Sequence, residues 1–166
     1  MIKLSGSIPV TWTRYDLSEL TFREDYHKDP TLNDVYIRSG HDIENMKIGL
    51  LQEHMGLPEW AKNIRDQFDL DNKTATIHRL TPGKYLPIHS DLYGTYKKLH
   101  DWNGRQIARI IVFLEDWQPG HMLDIQGMIY NRWAAGDHVG WLDDTQHAAY
   151  NMGTSDRYTL QITGMI

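Results

Sequence analysis

The sequence predicts a mainly β fold, a sandwich or a barrel, with two helices packed on its outside. From residue 73 onward the chain consists of short β-type segments separated by turn residues. The part before it contains two segments with apolar residues at helical spacing. A chain of 166 residues can bury a core of its own. We therefore expect one domain over residues 1–166, with helices and peripheral segments in 1–72 and the β core in 73–166.

Two helices are predicted before the β segments. Residues 42–55 place four apolar side chains at helical spacing, and Gly56 follows as a stop signal. Residues 58–68 begin with Pro58, which the first turn of a helix tolerates. The apolar residues that then recur one turn apart are Trp60, Ile64 and Phe68. Both helices are expected to cover one outer face of the β structure.

Eight β segments follow, each bounded by glycine, proline or another turn residue. Pro87 lies inside the second segment and cannot donate a hydrogen bond to a neighbouring strand, so that segment is expected at a sheet edge or a bulge. The segments are residues 74–80, 85–91, 109–117, 121–126, 128–133, 138–142, 146–151 and 157–166.

Composition and charge exclude several classes of function. The net charge is −5, and no lysine or arginine run exceeds Lys97-Lys98, so neither a nucleic-acid surface nor an anionic-membrane surface is expected. The longest apolar run, residues 110–114, is too short to span a bilayer, and the first residues lack the apolar core of a signal peptide. The chain has no cysteine, so a metal would need His, Asp or Glu ligands. A cytoplasmic location is expected.

Two His-x-Asp pairs are candidate metal ligands. His27 and Asp29 precede Pro30 in a stretch without strand character, which predicts an ordinary polar loop. His89 and Asp91 lie at the end of a predicted strand, where residues two apart point to the same side. Because only the second pair can face one cation together, we predict that it is the metal-binding pair. Tyr85 is an even number of residues before His89 on the same predicted strand, so it is predicted to face the same site.

The last two β segments are predicted to form an antiparallel hairpin around Gly153. This pairing would set His147 roughly opposite Arg157. Strand alternation places Arg157, Thr159 and Gln161 on one face and the apolar residues between them on the other. If the apolar face lies under the helices, the polar face lines a cavity. Arg157 and Thr159 would then form an anion clamp, because a guanidinium binds a carboxylate with two charge-assisted hydrogen bonds.

Taken together, these motifs resemble the signature of Fe(II)- and 2-oxoglutarate-dependent dioxygenases over residues 74–166. The resemblance is strongest to the aspartyl/asparaginyl hydroxylase-like and cis-proline hydroxylase branch. In that branch an arginine opens a central strand and an asparagine follows the distal histidine, and Arg109 and Asn151 occupy those places. The link from Asp91 to Arg109 is longer than that branch usually has.

The resemblance implies a double-stranded β-helix, also called a jelly roll and cupin-like, as the catalytic core. It implies an Fe(II) ion held by His89, Asp91 and His147. Arg157 with Thr159 would bind the C5 carboxylate of 2-oxoglutarate, and Asn151 and Tyr85 are further candidates for cofactor binding. Arg109 would neutralise the C1 carboxylate or hold an acidic substrate.

The implied reaction uses dioxygen to hydroxylate an unactivated C–H bond and releases succinate and CO2. The substrate would be a small molecule, an amino acid or a residue within a peptide. Neither its identity nor the oligomeric state follows from the sequence.

Three alternatives share some of these features. A cupin-type metalloenzyme that does not use 2-oxoglutarate would have the same double-layered β fold. A zinc hydrolase could use two histidines and an aspartate around a zinc-bound water. A non-catalytic jelly-roll module could bind a sugar or a peptide. Release of succinate from 2-oxoglutarate, measured with and without iron, separates all three from the hydroxylase.

Overall fold

The computed structural model describes residues 4–25 and 30–166, and the side chains from residue 33 in the second range. The His27 and Asp29 pair lies outside the described residues. The strands in chain order are β1 (Ser5–Ser7), β2 (Arg23–Asp25), β3 (Ile48–Gln52), β4 (Asp71–Leu80), β5 (Tyr85–His89), β6 (Ile107–Phe113), β7 (His121–Ile125), β8 (Met128–Tyr130), β9 (Asp137–Leu142), β10 (His147–Asn151) and β11 (Arg157–Met165). The helices are α1 (Arg14–Ser18), α2 (Pro30–Arg38), α3 (Glu59–Asp66) and α4 (Gly94–Leu99), with short 3-10 turns at Ile43–Met46 and Glu53–Met55.

These strands form two antiparallel sheets. The larger sheet has seven strands in the order β1-β9-β6-β11-β4-β3-β2, and the smaller has four in the order β5-β10-β7-β8. From β4 onward the chain passes repeatedly between the two sheets, with only β7 and β8 joined as a hairpin within one. This winding of the strands is that of a jelly roll, so the predicted fold class is confirmed. Each of the eight predicted β segments overlaps one of the strands β4 to β11.

The predicted hairpin between the last two β segments is wrong. Strand β10 pairs with β5 and β7 in the smaller sheet, whereas β11 pairs with β4 and β6 in the larger one. Residues 152–156 therefore cross from one sheet to the other. A short link that contains a glycine can join two strands of one hairpin or two strands in different sheets. Which of the two forms depends on the strands elsewhere in the chain with which each segment pairs. His147 and Arg157 are consequently not neighbours across a ladder.

The predicted helix over residues 42–55 is also wrong. The segment forms a 3-10 turn, strand β3 and a second 3-10 turn. Strand β3 pairs on one side with β2 and on the other with β4. A short apolar run does not distinguish a helix from a strand with two covered faces. Here Leu51 joins the core beneath the helices, while Ile48 lies on the opposite side, between the sheets.

The helix predicted over residues 58–68 is confirmed as α3, and it covers the outer face of the larger sheet. Ala61 and Ile64 of this helix are fully buried. They pack in one cluster with Leu160 and Ile162, which are the apolar residues of the alternating strand β11. The predicted alternation of β11 is therefore confirmed on its apolar side. Trp12 completes this core, and its indole N–H donates a 2.7 Å hydrogen bond to the Leu114 carbonyl oxygen.

The part of the chain before residue 73 contributes three strands that the sequence did not predict. Strand β1 extends the larger sheet at β9, and β3 and β2 extend it at β4. The division into residues 1–72 and 73–166 stays a prediction. In the described part of the chain, no helix is long and apolar enough to cross a membrane.

Candidate metal centre

The two sheets bring three potential metal ligands together at one end of the interior. His89 ends β5 and His147 begins β10, and the two are directly paired across the antiparallel ladder. Asp91 follows two residues after His89. One ligand atom from each of the three lies within 4.8 Å of the others. The structure thus brings together the three residues that the sequence predicts, as a group that could hold a metal ion.

Hydrogen bonds to the main chain orient both imidazoles. Nδ1 of His89 lies 2.7 Å from the Pro87 carbonyl oxygen, and Nδ1 of His147 lies 2.9 Å from that of Thr145. A carbonyl oxygen only accepts, so Nδ1 carries the proton in each ring and Nε2 keeps its lone pair. The Nε2 atoms lie 3.7 Å and 3.4 Å from the Asp91 carboxylate oxygens. Two nitrogen lone pairs and one carboxylate therefore converge.

The protonation state of His147 suits metal binding. Burial lowers the pKa of His147 to about 4, against a smaller opposing effect of the nearby Asp91 carboxylate. The imidazole is therefore neutral at pH 7, as a metal ligand must be. Trp141 packs against it with a ring-centroid distance of 4.4 Å.

A cavity of about 200 Å³ opens from these three residues into the space between the sheets. This volume is below the roughly 300–1,000 Å³ typical of sites for drug-sized ligands, which favours a small ligand. Both sheets contribute to its walls. The lining residues that carry charge or a polar side chain are Asp25, His78, His89, Asp91, Arg109, His147, Arg157, Thr159 and Gln161.

Arg157 reaches this cavity from the start of β11 and is 2% exposed. Its Nε and Nη2 atoms have no hydrogen-bond partner among the residues that the structure describes. Its guanidinium lies 5.6 Å from the centroid of the Trp133 ring, which in turn stacks on Phe113. Burial lowers the pKa of Arg157 to about 10, so the group remains charged at pH 7. A buried charge without a partner is costly, and an anion in the cavity would remove that cost.

Thr159 lies next to Arg157 on the cavity side of β11, and Gln161 follows, as strand alternation predicts. Arg109 reaches the cavity from the adjacent strand β6. Its Nη1 lies 3.4 Å from a carboxylate oxygen of Asp91, and its guanidinium stacks over the Tyr93 ring at 4.9 Å. Arg109 therefore contacts the candidate metal ligand directly, whereas Arg157 does so nowhere in the described contacts.

Two predicted site residues lie elsewhere. The Tyr85 hydroxyl is 2.9 Å from Nδ1 of His41, and Tyr85 does not line the cavity. Tyr85 and His89 do not share a face of β5, because this strand carries one extra residue beside Pro87. The extra residue lies between the pairs Ala149–Leu86 and His147–His89. The predicted edge or bulge at Pro87 is thus confirmed, and it turns Tyr85 away.

Asn151 is fully buried outside the cavity. Its amide nitrogen donates to the carbonyl oxygens of Leu80 and Ser155 at 2.6 Å and 2.8 Å, and its oxygen accepts from the Gly153 N–H at 3.0 Å. These bonds hold the crossing from β10 to β11 in place. The cofactor-binding roles of Tyr85 and Asn151 stay predictions, and nothing below depends on them.

Two titratable residues of the cavity wall were not predicted as site residues. His78 faces the cavity from β4, where it pairs with Thr159 of β11. Burial, together with the charges of Arg109 and Arg157, lowers the pKa of His78 to about 3, so it is neutral. The register between β4 and β11 would have revealed His78. Asp25 belongs to β2, and no sequence signal marks that strand.

Comparison with known proteins identifies the fold. No family model matches the sequence, and no curated protein matches it. The chain resembles the crystal structure of a putative sugar phosphate isomerase from Acidithiobacillus ferrooxidans, with a TM-score of 0.51 and 15% identity over 95% of this chain and 76% of that one. It also resembles a predicted oxalate decarboxylase from Thermotoga maritima, with a TM-score of 0.50 and 15% identity over 90% of this chain and 96% of that one.

The fold is a cupin-like jelly roll. At 15% identity these likenesses establish the fold and do not transfer an activity. They also do not single out the Fe(II)- and 2-oxoglutarate-dependent dioxygenases within this fold. The function must therefore be argued from the site.

Proposed function

We propose that this protein is an Fe(II)- and 2-oxoglutarate-dependent oxygenase that hydroxylates an unactivated C–H bond of a small molecule, an amino acid or a peptide residue. The carrying observation is a buried, charged Arg157 whose Nε and Nη2 have no hydrogen-bond partner in the described contacts, in the same cavity as a His–Asp–His group. Glu115 is the carboxylate that acts on its charge, and it does not line this cavity. A metal and an anion bound together would satisfy the polar groups of such a site.

His89, Asp91 and His147 are the residues that would hold the iron. Two histidines and one carboxylate form the facial set of ligands that non-haem Fe(II) oxygenases use, leaving other coordination positions open. The iron, when bound, supplies the activation of dioxygen that no side chain can perform. The main-chain carbonyls of Pro87 and Thr145 hold the two imidazoles so that Nε2 is presented to it.

Arg157 would anchor the C5 carboxylate of 2-oxoglutarate. Its unpartnered Nε and Nη2 lie on adjacent corners of one planar guanidinium, which is the edge that binds a carboxylate with two parallel hydrogen bonds. The Thr159 hydroxyl, two residues along the same face, is placed to add a third bond. The stacked Trp133 and Phe113 rings support the guanidinium from behind.

The charge of the cavity supports a dicarboxylate. The charged groups that line it are Asp25, Asp91, Arg109 and Arg157, whose formal charges sum to zero. A divalent cation would bring the total to about plus two, and the two carboxylates of 2-oxoglutarate would neutralise it. Apolar residues from both sheets, including Ile111 of the larger and Leu123 of the smaller, fill the remaining wall and exclude water.

A second candidate is a cupin-type metalloenzyme that does not use 2-oxoglutarate, and the comparisons favour it over the first. The two similar structures are described as a putative sugar phosphate isomerase and a predicted oxalate decarboxylase. In such an enzyme Arg157 would bind a phosphate or carboxylate of the substrate itself. The residues at the metal would be the same, and the difference lies in which anion Arg157 holds.

Succinate formation distinguishes the two candidates. The purified protein, supplied with Fe(II), ascorbate, dioxygen and 2-oxoglutarate, should release succinate, and a pool of free amino acids should increase the rate. Arg157→Ala should weaken the use of 2-oxoglutarate by about tenfold to more than a hundredfold, because charge-assisted bonds contribute roughly 1.5–3 kcal/mol. Arg157→Lys should restore it only in part, since an ammonium group cannot bind bidentately. An unchanged requirement for 2-oxoglutarate in Arg157→Ala, or no succinate from the wild type, would refute the oxygenase.

A further inference from the structure

A second cavity of about 690 Å³ adjoins the first, and we call it the vestibule. Arg109 and Gln161 line both cavities, so a molecule in the vestibule would have its inner end against the candidate metal site. Its floor is formed by β3, β4 and β11 of the larger sheet. Its roof is formed by Tyr93 and helix α4.

The floor of the vestibule is a platform of polar side chains in two rows. In the first row Gln52, Thr76 and Gln161 are consecutive partners across β3, β4 and β11. In the second row Thr74, Thr163 and Arg109 are consecutive partners across β4, β11 and β6. All six residues line the vestibule. We refer to the five neutral residues, without Arg109, as the polar platform.

This polarity is not what the interior of a jelly roll requires. The residues that alternate with the platform on the same strands are Ala75, Ile77 and Ile162, and they are buried in the core beneath α3. In a sandwich without a ligand site, the inner face is apolar as well. The same strands therefore carry a sealed apolar face and, opposite it, an open polar one.

The platform side chains form no hydrogen bonds with other protein groups in the described part of the structure. Thr163 is 6% exposed, and the other four are half-buried, so water in the open vestibule can reach them until a ligand displaces it. A hydroxyl or amide group withdrawn from bulk water lowers the stability unless it finds a partner. Three hydroxyls and two carboxamides, each able to donate and to accept, therefore face a space that a hydrogen-bonding molecule would fill.

The inner end of the vestibule carries one positive charge, and its position is strongly constrained. The Arg109 guanidinium is stacked on the Tyr93 ring and contacts Asp91. Tyr93 is 8% exposed and has a φ of 53°, which is an unfavourable conformation for an aromatic residue. Such strain persists where the surrounding structure enforces it and is concentrated at binding sites. Tyr93 therefore acts as a positioning residue for Arg109.

We propose that the vestibule is the substrate site and that it binds a small carboxylic acid bearing hydroxyl or amide groups. The carboxylate would lie towards Arg109, and the neutral polar groups would lie across the platform. The assignment of this molecule as the substrate rests on the proposed function, whereas its binding does not. An apolar acid would displace water from the platform without replacing its hydrogen bonds. A molecule without a carboxylate would leave Arg109 Nε, which has no hydrogen-bond partner in the described contacts, without an acceptor.

Direct binding tests the proposal without turnover. The probes are D-gluconate as a hydroxyl-bearing acid, L-glutamine as an amide-bearing acid, and hexanoate as an apolar acid. Binding to the whole protein, with and without Zn(II), is measured by ligand-observed NMR and calorimetry. Gluconate or glutamine should bind at least tenfold more tightly than hexanoate, and which of the two binds better identifies the polar group. Equal or tighter binding of hexanoate, or no binding of either polar acid, would overturn the proposal.

Variants locate the bound probe. Thr76→Val and Thr163→Val each remove one hydroxyl from the platform with little change of shape, and each should weaken binding about three- to tenfold. Thr154→Val, at an exposed turn, is the matched control and should have no effect. Unfolding curves for all three establish that they fold. Unchanged affinity in both platform variants would place the probe elsewhere and refute the assignment.

Arg157→Ala separates this proposal from the proposed function. It should weaken the use of 2-oxoglutarate by about tenfold to more than a hundredfold and retain the binding of the polar acid, because Arg157 does not line the vestibule. If succinate is never formed but the platform variants still weaken binding, the oxygenase is wrong and the vestibule stands. If succinate is formed but the platform variants bind the probes normally, the oxygenase stands and the assignment of the vestibule is wrong.

Discussion

The two faces of the larger sheet serve different purposes, and strand β11 shows the difference most directly. On its outer face Leu160 and Ile162 are fully buried beneath α3 and complete a packed core. On its inner face Arg157 and Thr159 are equally inaccessible, yet they line a cavity. Burial is therefore the same on both faces, and only the chemistry of the buried groups differs. The outer face stabilises the fold, whereas the inner face is satisfied only when a ligand is bound.

The largest expected effect is the loss of the metal. His89→Ala removes one of three ligands, and metal affinity should fall by more than about 100-fold, since even outer partners of a ligand are worth roughly 10–100-fold. Titration with Fe(II) or Mn(II) in the absence of dioxygen measures it.

His27→Ala is the matched control, because His27 belongs to the other His-x-Asp pair in the sequence. It should leave metal affinity nearly intact, because the sequence offers that pair neither a third ligand nor an anion clamp downstream. If His27→Ala loses the metal and His89→Ala keeps it, the assignment of the metal pair is wrong.

The next effect concerns the outer face. Ile162→Ala leaves a hole in the core beneath α3, where the side chain is fully buried, and should lower the free energy of unfolding by about 2–5 kcal/mol. It should leave the affinity for 2-oxoglutarate unchanged, because Ile162 points away from the cavity. Urea denaturation and 2-oxoglutarate titration on the same sample check both. A loss of affinity without a loss of stability would contradict the division between the faces.

The inner face should respond in the opposite way. Arg157→Met replaces a buried charge, whose Nε and Nη2 lack hydrogen-bond partners in the described contacts, by an apolar side chain of similar length. The ligand-free protein should become more stable, because the desolvation cost of that charge is removed. Adding 2-oxoglutarate should raise the melting temperature of the wild type and not that of the variant. A strongly destabilised Arg157→Met would mean that Arg157 has a structural role, and the inner face would then resemble the outer one.

The smallest effect is the pH dependence that His78 confers. Its pKa in the folded protein is about 3 because of burial, compared with 6.5 when unfolded. As the pH falls below 6.5 the unfolded chain takes up a proton that the folded chain does not, so stability is lost between pH 6.5 and 3. The free energy of unfolding should differ less between pH 7 and pH 4.5 in His78→Gln than in the wild type, by about 2 kcal/mol or less. Urea denaturation at the two pH values measures it. Identical pH profiles for the variant and the wild type would show that His78 is not buried as described.

Much of the fold could be predicted because the relevant signals are local. Turn residues separate the strands from β4 to β11, and alternation within a strand assigns its two faces. The pair His89 and Asp91 could be recognised because strand geometry puts residues two apart on one side. The predicted helix over residues 42–55 was wrong, because a short apolar run is compatible both with a helix and with a strand that is buried on its two faces. The prediction that Tyr85 faces the cavity was wrong, because one extra residue in β5 reverses which side of the strand Tyr85 points to. Such a bulge depends on the pairing with the partner strand, which the local sequence does not show.

The sequence by itself determined a β-rich core, the presence of α3, the His-x-Asp pair of the candidate metal site and the alternation that puts Arg157 in an interior. Each of these depends on residues close together in the chain. Only the tertiary structure decided that β10 and β11 lie in different sheets, that residues 48–52 form a strand between β4 and β2, and that His78 and Asp25 join the cavity wall. Strand pairing is a contact between distant segments, and its free energy depends on which partners are available. The polar platform exists only because three strands align in register, and no single segment of the chain contains that information.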